Sequence, residues 1–181
     1  MKKYILPVIQ SAFILLAISF ANTANCQSDK DKDLMQDASA GKTDFIHTDS
    51  LMSNLFDNAY GYVIFPNIGK GGIGVGGATG NGIVYEKGKV IGKAKMTQVS
   101  VGFQFGGQAY REVIFFEDKA TLDRFKEDKI EFSAQASAVA ATKGASTNVK
   151  YTNGVMIFTQ QKGGLMYEAS IGGQKFKFTP F

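Results

Sequence analysis

The sequence holds one cysteine, one histidine, three prolines and no tryptophan in 181 residues. With Cys26 alone, no intramolecular disulfide can form, so stability must come from a packed core. With His47 alone, a histidine-rich metal site is excluded, and no cysteine lies near it to complete a zinc set. The G-x-S-x-G nucleophile elbow is missing, and no residue pattern marks a catalytic site or a cofactor site. Charge of either sign is modest, with 20 Lys and Arg against 16 Asp and Glu. A net charge of +4 is not the balance of a nucleic-acid binder.

What is present is apolar and glycine-rich. Apolar residues make up 44% of the chain, with 15 Phe, seven Tyr and 21 Gly. That composition supports one core and argues against wholesale disorder. The glycines fall inside apolar stretches, which points to tight turns and close backbone packing.

The first residues read as a targeting segment. Lys2 and Lys3 precede a run from Ile5 to Phe20 that is apolar except for Pro7, Gln10, Ser11 and Ser19, and small residues follow. This is the pattern of a secretory signal peptide over residues 1–24, with cleavage points between 21 and 26 in competition. Cys26 stands where a bacterial lipoprotein carries its lipidated cysteine, although Thr23 and Asn25 are not lipobox residues. Lipidation and an idle cysteine both stand as readings. The chain is expected to be exported, to the periplasm or the outer membrane, with or without a lipid anchor.

Charge is unevenly spread. Residues 27–60 carry three Lys against seven Asp, whereas residues 61–181 carry 15 Lys and Arg against nine Asp and Glu, a net of +6. The second part is biased toward anionic partners. Residues 25–44, polar and poor in large apolar groups, read as a mobile spacer ahead of a domain over 45–181. Thr48, Asp49 and Ser50 supply caps for a short helix carrying Leu51, Met52, Leu55 and Phe56 to about Asn58.

From Tyr60 the period shortens. The run from Tyr62 to Phe65 reads as a buried strand stopped by Pro66. Gly69 to Gly82 holds eight glycines. A hairpin follows around Lys87-Gly88-Lys89. Val99, Val101, Phe103 and Phe105 alternate with Gln98, Ser100, Gly102 and Gln104, so the apolar set is expected inward. Another strand ends at Val113 to Phe116, and Asp118 caps a second helix with Leu122 and Phe125 on one face. Ile130 to Ala140 alternates as a strand. Val155 to Gln161 and Leu165 to Ile171 suggest a hairpin, and Lys175 to Phe178 alternates again. The fold class is α+β: a β-rich, mainly antiparallel sheet or partly open barrel with two short helices.

Gly72, Gly74 and Gly77 spell G-x-G-x-x-G, but that motif needs a helix after it to hold a pyrophosphate. A hairpin follows instead, so Gly72, Gly74, Gly76 and Gly77 are read as structural, through close approach or positive φ. Gly41-Lys42-Thr43 ends like a P-loop, yet Gln36 stands where its first glycine belongs. Glu112, Glu117 and Asp118 are read as solvated or capping groups. Lys93 and Lys95, and Lys175, Phe176, Lys177 and Phe178, set lysine heads beside apolar side chains, as a phospholipid interface requires. Plain strand alternation, with phenylalanine inward and lysine outward, produces the same pattern.

The segment from Ala59 to Pro66, then Gly71 to Gly77 and Gly80-Asn81-Gly82, resembles the opening of the SYLF domain. Gln98 to Gly107, Val113 to Phe116, Leu122 with Phe125, Ala134 to Gly144, Gly163-Gly164-Leu165 and Gly172-Gly173 follow in that family's order. The resemblance spans about residues 45–175 and implies phospholipid binding without catalysis, with actin as a further partner in fungal members. The leader here is acidic where eukaryotic members carry a basic amphipathic segment, so phosphoinositide specificity is not expected, nor is actin for an exported chain. The expected function is thus a phospholipid-binding protein of the bacterial envelope. The alternative is an envelope interaction protein that holds an unidentified protein partner through its glycine-rich strands.

Overall fold

The computed structural model describes residues 28–73, 75–101, 108–130, 132, 137–162 and 168–181. The signal-peptide reading and Cys26 lie outside them, as do Gly74, Phe103, Phe105, Ala134 and Ala136. Among the described residues, three α-helices accompany one eight-stranded sheet.

The strands are β1 (Gly61–Ile73), β2 (Val75–Glu86), β3 (Lys89–Val101), β4 (Gln108–Phe116), β5 (Ser137–Ala140), β6 (Val155–Gln161), β7 (Glu168–Ser170) and β8 (Gln174–Pro180). Their order across the sheet is β7-β5-β6-β4-β1-β2-β3-β8. Every pairing is antiparallel except β5 with β6. The expected α+β, mainly antiparallel architecture is what is observed, as an open sheet.

The sheet is strongly curled. β7 and β8 are its two edges, yet only residues 171–173 join them in the chain. Phe176 of β8 lies 5.9 Å, ring to ring, from Phe65 of β1, although β2 and β3 stand between them in the sheet. The inner face therefore closes on its own side chains, among them Val63, Phe65, Val84, Met96, Ile114, Phe116 and Phe176. Helix α3 (Lys119–Lys126) adds Leu122 and Phe125 to this interior. The Asp118 carboxylate accepts from the Thr121 amide at 2.8 Å, the cap expected from the sequence.

The outer face carries a second cluster, built from Tyr62, Ile64, Ile83, Val113, Phe115 and Phe158 under helices α1 (Asp29–Thr48) and α2 (Met52–Asn58). Helix α1 corrects the expected spacer. Ser28 accepts from the Asp31 amide, and Asp29 and Asp31 sit in the positive first turn. Leu34, Ala38, Gly41 and Phe45 form one stripe at helical spacing, and Ala38 and Phe45 are fully buried. At Gly41 an added Cβ would lie 3.4 Å from Ile64 Cγ2, so the helix sits close on the sheet.

Other expectations change as well. Pro66 does not end its strand: β1 runs on to Ile73, with a register shift between Phe65 and Ile68 against β4. Close glycine packing is found at Gly61, Gly80, Gly82 and Gly92. A Cβ at Gly82 would meet Ile64 O at 2.6 Å and Phe65 Cδ1 at 2.7 Å. Gly72 and Gly76 are cross-strand partners in β1 and β2, and neither Gly76 nor Gly77 has positive φ. Gly72 and Gly77 therefore lie on two paired strands, and a strand, not a helix, follows Gly77, which excludes the dinucleotide geometry. Finally, β6 and β7 do not form the expected hairpin, because β5 lies between them.

Candidate functional site

In β3, Ala94 and Met96 point into the curled interior, which fixes the parity of the strand. Lys93, Lys95, Thr97 and Val99 consequently point outward. In β8, Phe176 is 6% exposed and inward, Phe178 packs partly against the same core, and Lys175 and Lys177 point outward. The ladder then sets these outward residues side by side. Lys95 is the Cα partner of Lys177, Thr97 of Lys175, and Lys93 of Thr179.

The two lysine pairs, read separately in the sequence, thus form one row on the outer face of two adjacent strands. The two phenylalanines do not join it. Phe176 contacts Phe65, Phe125 and Phe132 at ring distances of 5.3 to 5.9 Å and serves the core. The Thr79 and Asn81 positions of β2, opposite Thr97 and Lys95, continue the exposed surface. Val99, 72% exposed, ends the row on the β3 side.

Only part of this face is neutralised by the described residues. Lys93 Nζ donates to Asp31 Oδ1 of α1 at 2.7 Å. That pairing holds the Asp31 carboxyl below its usual range, the Lys93 hydrogen bond being the largest cause. Around it a groove is lined by Asp31, Asp33, Leu34, Asp37, Asn81 and Lys93. Lys95, Lys175 and Lys177 have no ion-pair partner among the described residues. Like charges directly opposite in a ladder repel, so the Lys95–Lys177 pair is held against its own electrostatics.

A polar group lies on the inner face. Glu112 of β4 is fully buried, correcting its reading as a solvated acid, and its Oε2 accepts from Gln174 Nε2 of β8 at 3.0 Å. Burial pushes its carboxyl up to about 7, partly opposed by the Gln174 bond. Gln98 is also inward: it is 3% exposed, and its Nε2 donates to Gly172 O at 2.9 Å. The expected parity of β3 is therefore reversed at Gln98 and Val99, since a carbonyl between β7 and β8 gives the amide an interior partner. Among the described residues, no cluster of His, Cys, Asp and Glu could hold a metal ion, and no helix is long and apolar enough to cross a membrane.

Sheet and basic face together define an α+β protein built on one curled sheet. Residues 97–179 match the family model described as Ysc84, Las17-binding protein actin regulator. Beta cell expansion factor A of Aeromonas veronii is 33% identical over 125 residues, which is 67% of this chain and 47% of that protein. The chain thus spans about half the length of the curated relative it matches. It belongs to the SYLF domain family. The matched segment includes β8 with Lys175 and Lys177, while Lys93 and Lys95 precede it.

Proposed function

We propose that this chain is a non-enzymatic protein of the bacterial cell envelope that binds anionic phospholipid through the outer face of β3 and β8. The observation that carries the reading is the Lys95–Lys177 cross-strand pair, flanked by Lys175 and by Lys93. Phosphate groups at a lipid surface would relieve the repulsion between the paired ammonium groups. Each lysine near such a surface contributes on the order of 1 kcal/mol, screened within a Debye length. Lys93 is counted for less, because Asp31 already occupies it.

The contact is electrostatic in character. Val99 is the one large apolar side chain in the described part of the row, so deep insertion by this face is not part of the reading. Export, with or without an acyl chain on Cys26, would bring the domain to such a surface. Co-sedimentation with phosphatidylglycerol vesicles and with phosphatidylcholine vesicles tests the proposal. Binding to the first that weakens steeply with salt is expected, and equal or absent binding to both would refute it.

A further inference from the structure

Glu112 and Gln174 join strands that are not neighbours. Glu112 sits on β4, in the middle of the sheet, opposite Phe65 of β1 and Thr159 of β6. Gln174 opens β8, an edge strand whose one ladder among the described residues is with β3. Their hydrogen bond therefore spans the interior of the curl. Beyond it, Glu112 Oε1 and Gln174 Oε1 are buried with no hydrogen-bond partner among the described residues. Unpaired acceptors are costly in an apolar interior; the buried Tyr110 hydroxyl, which interacts with both Glu112 and Gln174, offers one donor for the two, and a proton on Glu112 supplies the second.

We propose that the Glu112–Gln174 contact is a proton-operated latch that holds edge strand β8 against the interior and releases it when Glu112 ionises. A buried carboxylate needs several hydrogen-bond donors, water or a cation, and the Gln174 amide is a single neutral donor. Among the described residues, none of the elements packed around Glu112 presents a cation to it. Tyr110 on its own strand is buried and neutral. Lys175 and Lys177 of β8 lie on the outer face. Lys119 and Lys126 of α3 are paired with Asp123 at the surface.

Strand β4 cannot carry Glu112 outward, because β1 and β6 bond it on both sides. Strand β8 is the more weakly held: among the described residues it has one ladder, with β3, and one further bond, from the Phe178 amide to Asp128 Oδ1 at 3.0 Å, and Gly173, whose φ is +76°, supplies a hinge. Its release would bare Phe176 and the rings it covers. The raised carboxyl range of Glu112 puts the changeover near neutral pH.

Hydrogen exchange of the full exported chain at pH 5.5 and 8.5, corrected for the intrinsic pH effect, tests this. In the wild type, protection of residues 174–180 should fall on the order of thirtyfold relative to residues 61–73 as the pH rises. In Glu112→Gln, which keeps an amide partner for Gln174 and cannot ionise, that ratio should not change with pH. A wild-type ratio that is the same at both pH values overturns the latch, and this measurement needs no variant to fold. The same fall in Glu112→Gln would overturn it too.

Discussion

Lys95 of β3 and Lys177 of β8 face each other across an antiparallel ladder, both exposed, with no acid paired to either among the described residues. A pair placed for stability alone would carry opposite signs. Replacing one member, as in Lys177→Gln, should raise stability by about 0.2–1 kcal/mol while lowering affinity for anionic vesicles. Thermal melts beside vesicle titrations read both. A loss of stability together with unchanged binding would assign the pair no role at a lipid surface.

Phe176 gives the opposite expectation. It is buried among Phe65, Phe125 and Phe132, so Phe176→Ala should cost about 3–5 kcal/mol of stability. Vesicle binding of whatever fraction stays folded should be normal. Urea unfolding measures the first effect and co-sedimentation the second.

Asp49 should behave as a buried anchor. It is 2% exposed, follows α1, and its Oδ2 accepts from Ser146 Oγ at 2.6 Å and from Ser146 N at 2.9 Å. Burial pushes its carboxyl up, but these bonds and one from the Leu51 amide outweigh it and leave it below the usual range. Its contribution is therefore present above the ordinary aspartate range and lost as pH falls through the lowered one. Asp49→Ala should destabilise by about 1–3 kcal/mol at pH 7, with a smaller difference at pH 3.

Glu112 works in the other direction. Its folded-state range is raised, so the folded protein holds a proton that the unfolded chain has released between about 4.5 and about 7. From this group, stability falls as pH rises through that window and then levels. Denaturant midpoints in Glu112→Gln should lack the fall.

Gly82 tests the packing of β1 on β2. Because a Cβ there would strike Ile64 O and the Phe65 ring, Gly82→Ala should cost about 1–3 kcal/mol, whereas the same change at Gly69, where the space is open, should not. Thermal melts of the two variants decide it.

Most of the sheet was legible in the sequence because period and turn chemistry are local. The Lys87-Gly88 turn, the run from Val113 to Phe116 and the Asp118 cap each announce themselves within a few residues. Helix α1 was not legible, because its buried stripe is Ala38 and Gly41 around Phe45, small residues that lower its mean hydropathy among eight aspartates and lysines. The parity of β3 at Gln98 depends on a carbonyl 74 positions away, and no local signal reports it. Both lysine clusters were visible, but not that they are one. That follows from β8 pairing with β3 across the chain, a long-range choice which alternation alone does not make.

The most direct test of the account is salt-dependent co-sedimentation of the Lys95→Glu, Lys175→Glu, Lys177→Glu variant with phosphatidylglycerol vesicles, after circular dichroism shows an unchanged fold. All three side chains are exposed and without an ion-pair partner among the described residues, so the variant should fold, and its binding at low salt should be abolished. Retention of wild-type binding by that folded variant would contradict the assignment of this face to lipid.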